Sequence, residues 1–387
     1  MAVPTKTLIA TRLFTPEVGA AAFRLQALAD GLVAEGLGVE VLSTKPPQSA
    51  GPCHDTVPVR RWPVLRDSGG NVRGYVQYLS FDVPLFFRLL LSRADVVVSE
   101  PPPTTGLVVA VSSMLRRRPY VYYAADIWSD ALQAMNVGGP VHKVLRAIEG
   151  LVLRRARAVI AVSDGVADQV ASFEVPRERI HSVGNGIDMG TFVPEGPVAD
   201  PAARPYFVYT GTMSEWQDAG IFIKALASLP EDVELRFFGQ GSDEEALKAL
   251  AERTAPGRVH FGGVIPAEEA ARWIRGAAAA VVSIKPGQGY DFAKPTKIYA
   301  AAACGTPVLY AGSGDAARLV ADGGLGVASD FTPDAVAEAM RSVLDDASFG
   351  STQSREGRVA WVRENASLAA AGRRAAAVVR NAAQRAG

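Results

Sequence analysis

The chain has 387 residues, 48% apolar and 21% charged, an ordinary globular balance too long for one core, which predicts two domains of about 200 residues each. Lysine plus arginine and aspartate plus glutamate both number 40, so no global basic field points to nucleic acid. Only Cys53 and Cys304 are present, without zinc or redox spacing, and no apolar run approaches the roughly 20 residues that span a bilayer, which suits a soluble protein of a reducing cytoplasm, at most peripheral at the inner membrane surface.

The first strand starts almost at once, with no signal-peptide pattern ahead of it. Residues Thr7–Ala10, Val39–Ser43, Val96–Ser99, Tyr120–Tyr123 and Ala158–Val162 read as strands, with helices in most of the intervals. This alternation predicts an α/β fold with a parallel sheet, right-handed crossovers and ligands beyond the C-terminal strand ends. The residues just after each strand are therefore the candidates.

After the first strand, Pro16 and Gly19 shape a loop. Gly19, Ala20 and Ala21 let a ligand approach backbone amides at a helix start, and a tight turn without a ligand explains them equally well. Between 57 and 93, Trp62, Tyr75, Tyr78, Phe81, Phe86 and Phe87 mix with Arg60, Arg61, Arg66, Arg73 and Arg88. These residues form either core or an amphipathic surface for a membrane-borne or hydrophobic acceptor. The loop after Glu100, Pro101–Pro102–Pro103, sits at the same strand edge without a readable role. The run Arg116–Arg117–Arg118 reads as a solvated face or a helix C-terminus. Asp126, just past a buried strand, either hydrogen-bonds a sugar hydroxyl or helps take up an acceptor proton, or else caps the following IWSDALQAM helix. Ser163–Asp164 reads as an N-cap pair.

Residues 180–188 read as a strand and an Asn-Gly turn, and Pro194, Pro197, Pro201 and Pro205 then mark the domain boundary. A second α/β unit repeats the pattern at Tyr206–Tyr209, Val233–Phe238, Val259–Phe261, Ala279–Ser283 and Pro307–Tyr310. Gly239–Gln240–Gly241 resembles the start of a dinucleotide fingerprint. Glu244 stands where the third glycine belongs, which favours a backbone bend near a nucleotide over a nicotinamide site.

The stretch from Lys285 to Gly312 predicts a loop, a short helix with Pro295 in its first turn and Gly305 as its stop, then a strand. Free N–H groups and the dipole at that helix start, with Lys294 and Lys297 beside them, would stabilise an anion, read here as a diphosphate. An ordinary crossover with solvated lysines is the alternative. Beyond Asp330 the chain reads as helical, and its Ala- and Arg-rich end from Val359 to Arg385 can strap back across the first domain. The four histidines are scattered, and no Ser-His-Asp spacing, HExxH or aspartate-rich metal motif is present.

Two α/β units joined by a proline-rich stretch resemble a GT-B glycosyltransferase, and more closely glycosyltransferase family 4. The specific segments are AVSDGVADQV followed by VPRERIHSVGNGIDMGTFVP, then FFGQGSDEEALKALA and VHFGGVIPAEEAARWI. DIWSDAL is similar to the Asp-x-Trp-Pro-Glu segment of a branch acting in bacterial O-antigen and capsule assembly. Pro295–Thr296–Lys297–Ile298 matches that branch's Pro-Ser-Lys helix entry. The Ala, Arg and Gly bias also suggests a bacterial source.

The resemblance implies two Rossmann-like doubly wound domains facing each other across a cleft: 1–190, a linker 191–205, and 206–364, with the helix from about 365 to 387 packing back on the first. It implies a retaining, metal-independent transfer of a sugar from a nucleotide diphosphate, UDP foremost, to a hydroxyl of a small-molecule or lipid-linked acceptor. No cofactor and no nucleic-acid partner are expected. Donor contacts are expected at Gly19, Ala20, Gly211, Thr212, Gly239, Gly241, Lys285, Lys294, Pro295, Thr296, Lys297 and Asp315. Acceptor contacts are expected at Glu17, Arg24, Asp126 and Trp128, with Asp126 and Lys297 catalytic. The family's Arg and Lys after the first strand of the second domain are Thr212 and Gln217 here, and its two glutamates fall at Phe292 and Ala300. Lys285, Lys294 and Lys297 would then replace the phosphate charge, and Asp315 the ribose carboxylate. A non-catalytic partner subunit and a nucleotide-sugar epimerase are the rival readings.

Overall fold

A computed structural model describes residues 5–384 apart from 18, 48–49, 51–52, 54, 68–69, 71, 73, 130–138, 201–203, 289 and 292. The chain divides into two compact units, Met1–Asn185 with Leu368–Gly387, and Gly186–Ser367.

The first unit holds strands β1 (Lys6–Ala10), β2 (Gly38–Thr44), β3 (Val59–Trp62), β4 (Val96–Ser99), β5 (Tyr120–Ala124), β6 (Ala158–Ala161) and β7 (Ile180–Ser182). They pair in parallel in the order β3-β2-β1-β4-β5-β6-β7. Alternate residues point to opposite faces. Leu8, Val97, Tyr122 and Val159 pack with Phe81, Leu85, Val109 and Val152 of one helical layer. Ile9, Val98, Tyr123 and Ile160 pack with Leu25, Leu28 and Leu32 of the helix Ala20–Ala34 and with Ala375 and Val379 of the helix Leu368–Gln384. Each buried leucine or valine contributes about 2 kcal/mol, so both faces must be covered for the sheet to stand.

Strand β3 lies in the segment that reads as irregular. Its VRRW sequence suits an edge strand because only one side needs a partner, and Arg60 reaches Glu40 at 2.5 Å. The helix Tyr75–Leu91 follows, burying Phe81, Leu85 and Leu89 while exposing Tyr75, Val76, Leu79, Val83 and Phe87. Its aromatics therefore divide between core and surface.

The second unit holds β8 (Tyr206–Thr210), β9 (Glu234–Phe238), β10 (Val259–Phe261), β11 (Ala279–Ser283), β12 (Val308–Ala311) and β13 (Gly326–Ser329), in the order β10-β9-β8-β11-β12-β13. Every pair in it is parallel. Strand β13, GVAS, has little strand propensity of its own. Gly326 brings it so close to β12 that a Cβ would lie 1.9 Å from the Val308 oxygen.

The proline-rich stretch read as a linker belongs to the second unit. Arg275 donates from Nη1 to Val193 O at 3.2 Å and from Nε to Pro197 O at 3.1 Å, and Ala199 N donates to Arg272 O at 3.2 Å. The C-terminal segment is two helices rather than one. Thr352–Asn365 stays in the second unit, and Leu368–Gln384 lies on Ala20–Ala34 in the first. That contact is close because Gly31 and Gly372 sit in it: a Cβ on Gly372 would come within 2.2 Å of Ala27 O. Among the described residues no helix is long and apolar enough to cross a membrane.

Candidate functional site

In the second sheet the strand order reverses between β8 and β11, and the crevice beyond their C-terminal ends is where open α/β sheets bind ligands. The loop 211–218 leaves β8 and the loop 284–295 leaves β11. Lys285 N donates to Trp216 O at 2.9 Å, Lys285 Nζ lies 3.3 Å from Asp218, and Trp216 stacks on Tyr290 with ring centroids 4.7 Å apart.

From the same edge starts the helix Thr296–Ala303. Pro295, expected inside the first turn, is the residue before it: its φ of −59° suits a helix but its ψ of 132° does not. No side chain caps this start and no acid sits in its first turn; Ile298 N turns back on Pro295 O at 3.1 Å, and the earlier N–H groups and positive dipole end have no side-chain cap. The far end is closed by a Schellman turn, with Gly305 N on Ala302 O at 3.0 Å, Thr306 N on Ala301 O at 3.0 Å and Gly305 at φ 73°. Arg358 Nη2 donates to Gly305 O at 2.7 Å and fixes that end from the core.

The three lysines expected to replace the phosphate charge have different partners. Lys294 turns to Asp315, 3.8 Å away, on the β12 side, and Asp315 also pairs with Arg318. Asp315, expected to stand in for the ribose carboxylate, thus pairs with two cations. Lys285 is balanced by Asp218. Lys297 takes the central place: its ammonium lies 3.8 Å from the centre of the Tyr209 ring and 3.6 Å from where a Cβ on Gly211 would stand.

The buried Gln217 amide, with its nitrogen turned to Tyr209 Oη and Ser214 Oγ, presents its oxygen to Lys297 Nζ at 3.2 Å. Lys297 thus places an ammonium beside the loop that carries Thr212 and Gln217. Burial pulls the Lys297 pKa down to about 7. Gly211 and Thr212 are exposed at the mouth. Ala300 is buried in the apolar cluster behind the helix, and Phe292 lies outside the described residues.

The two glycines of Gly239–Gln240–Gly241 have a backbone reason. A Cβ on Gly239 would meet Gly211 O at 2.0 Å, and one on Gly241 would meet Met213 O at 1.8 Å. The loops after β8 and β9 are pressed together, with Met213 N on Gln240 O at 3.1 Å. Asp243 follows at the same edge. Burial, then the carboxylates of Asp218 and Glu215, raise its pKa, while Lys285 opposes them.

In the first sheet the order reverses between β1 and β4. There Glu100 is buried, accepting from Thr11 Oγ1 at 2.5 Å and pairing with Arg24 Nη2 at 3.2 Å. Burial raises the Glu100 pKa against the opposing pull of Arg24. Arg24, expected at the acceptor, is buried in this ion pair, its guanidinium 5.2 Å from the centre of the Tyr123 ring. Glu17 is likewise held, by Arg66 at 2.8 Å.

Gly19 precedes the helix Ala20–Ala34 in extended backbone. A Cβ there would lie 3.0 Å from Leu13, so a small residue is wanted for space, and this helix start too has no side-chain cap. Asp126 follows β5 with its side chain reaching solvent, and its pKa is raised by partial burial with Arg24 opposing. The helix that Asp126 would cap lies mostly in 130–138, outside the described residues.

The Asp126 loop is fixed by Glu149, whose carboxylate accepts from Trp128 N at 2.8 Å and Ser129 N at 2.9 Å. Trp128 meets Tyr78 edge-on at 6.0 Å, and Arg12 lies 4.0 Å over the Tyr78 ring. Sequence reading overlooked Glu149, although a carboxylate between Ile148 and Val152 on a helix's apolar side was a usable signal. Nothing local marked Gln217. Among the described residues no three His, Cys, Asp or Glu side chains cluster as metal ligands.

Residues 19–186 match the family described as glycosyl transferase 4-like domain, and residues 204–346 match glycosyl transferases group 1. A D-inositol 3-phosphate glycosyltransferase of Xylanimonas cellulosilytica is 29% identical over 241 residues, which span 57% of this chain and 56% of that protein. Anabaena HepE in complex with UDP and glucose is 17% identical with a TM-score of 0.62, covering 97% of this chain and 100% of that one. Sucrose-phosphate synthase of Thermosynechococcus elongatus is 19% identical with a TM-score of 0.62, covering 95% and 96%. At these identities the solved structures share the fold. With both halves matched in order by glycosyltransferase families and the fold shared along nearly its whole length, the chain belongs to the GT-B glycosyltransferases.

Proposed function

We propose that the chain transfers a sugar, with retention, from a nucleotide diphosphate to a hydroxyl of a small or lipid-linked acceptor, without a metal ion. The observation that carries this reading is the Lys297 ammonium set at the β8/β11 crevice beside the uncapped start of the helix Thr296–Ala303. A cation and a helix N-terminus at one point stabilise the charge that develops on a departing diphosphate.

Asp243, which forms no ion pair among the described residues, takes the ribose hydroxyls in place of the absent glutamate at 300. Asp126 accepts the proton or hydrogen bond of the incoming hydroxyl, and its raised pKa suits a base that must release that proton again. UDP is the favoured carrier because HepE is a structural neighbour seen with it. The exposed Tyr75, Val76, Leu79, Val83 and Phe87 support contact with a membrane-borne acceptor on the cytoplasmic side.

The test is thermal stabilisation by UDP, GDP and dTDP sugars, followed by product analysis with and without a hydroxyl acceptor. Stabilisation by at least one donor and transfer only with acceptor are expected. No stabilisation by any donor would sink the enzyme reading, and conversion of donor sugar without acceptor would replace it by an epimerase.

A further inference from the structure

At the opposite edge of the first sheet, under the N-terminal end of β5, lies a groove of about 560 Å³ between the helices Pro103–Leu115 and Pro140–Arg155. Its volume is that of a small-molecule site. The trough is apolar, formed by Leu107, Ala110, Met114 and Leu151, and no carboxylate lines it. Arg117, Arg118, Arg155, Arg157 and Arg179 rim it. Arg117, Arg155 and Arg179 form no ion pair among the described residues, so this rim is strongly positive on a chain whose formal net charge is zero.

Two further features mark the groove as built. Ser113 is only 1% exposed, yet its Oγ has no hydrogen-bond partner among the described residues. Buried hydroxyls are normally paired, so this one lacks its acceptor or donor. The second feature is the turn that carries the arginines. Arg117 N donates to Met114 O at 3.2 Å and Arg118 N to Ser113 O at 3.0 Å, a Schellman turn whose left-handed position is Arg117 at φ 53°. Glycine is the favoured residue there, and this chain carries an arginine whose side chain reaches the rim. Arg118 holds the turn in place, donating to Ser92 Oγ at 2.7 Å and to Leu89 O at 2.9 Å.

We propose that this groove binds a single-chain anionic amphiphile, its apolar chain in the trough and its phosphate or carboxylate head on the arginine rim. The site is separate from the edge that carries Glu100 and Asp126. Its occupant therefore does not compete for that edge.

The probe is dodecyl phosphate below its micellar concentration, titrated into the full chain by calorimetry. Dodecyl maltoside, inorganic phosphate and vesicles of anionic phospholipid are the comparison arms. Dodecyl phosphate should bind one to one, and dodecyl maltoside and inorganic phosphate about tenfold or more weaker, since each lacks one half of the recognition. Arg117→Gly fits the left-handed backbone, so it should fold at least as stably while binding about tenfold weaker. Ala110→Phe should block the trough. Equal binding of the neutral and anionic amphiphiles, unchanged binding in Arg117→Gly, or binding of vesicles without binding of the monomer would each overturn the proposal.

Discussion

Lys297 offers the sharpest test of the donor site, because its charge state and its place are both set by burial. With a pKa of about 7 in the free protein, it is protonated at pH 6 and largely neutral at pH 8.5. A bound diphosphate holds it protonated, so donor binding above pH 7 must take up a proton. The protonated fraction falls about 30-fold between those two pH values, and affinity should fall by the same factor, about 2 kcal/mol. A nucleotide-diphosphate sugar is the right ligand, since its phosphates do not titrate in this range.

Lys297→Met keeps most of the stem's packing and removes the charge. Its donor affinity should be weak at pH 6 and flat to pH 8.5. The sign for stability is the reverse. A lysine whose folded pKa lies below its unfolded value penalises the fold at pH below 7, by about 5 kcal/mol at most, and the penalty fades as pH rises from about 7 to 10.5. Lys297→Met should therefore melt no lower than the parent at pH 6, while binding donor far more weakly. Calorimetric titration at both pH values measures the affinity, and buffers of different ionisation enthalpy report the proton taken up. A parent affinity that does not change with pH, or a methionine variant that binds as the parent does, would refute the argument.

Gly241→Ala would push a methyl group against the Met213 carbonyl, separate the loops after β8 and β9, and lower donor affinity more than it lowers Tm; a Tm loss with unchanged affinity would show those loops to be structural only. Gly372→Val forces apart the helices Ala20–Ala34 and Leu368–Gln384 and should cost about 1–3 kcal/mol in denaturant unfolding, leaving donor affinity of the second unit intact. Arg24→Met leaves Glu100 buried without its cation and should cost about 3–5 kcal/mol at neutral pH. Since burial already raises the Glu100 pKa, that loss should grow as pH rises above the ordinary glutamate range and shrink in acid; an urea series from pH 4.5 to 7.5 reads the slope.

Much of the architecture was legible because it rests on local chemistry. The β-branched runs at Val96–Ser99 and Ala279–Ser283 are buried on both faces and need no partner to be recognised. Strand β13 escaped because GVAS becomes a strand only through its backbone pairing with β12. Strand β3 escaped because an edge strand tolerates two arginines. The break at residues 366–367 had no local signal either, as Ile187 N pairs with Ala366 O at 2.7 Å from nearly two hundred residues away.

At the site the division is the same. Sequence alone determined that a Pro-Thr-Lys helix start follows a strand of the second α/β unit, since propensity, capping and hydrophobic period are properties of neighbours along the chain. Tertiary structure decided which cations serve it. Lys294 and Lys297 are three residues apart, yet one pairs with Asp315 and the other lies against Tyr209 and Gln217. That assignment depends on where β8 and β12 bring their loops, and burial, which gives Lys297 its lowered pKa, exists only once those loops have closed around it.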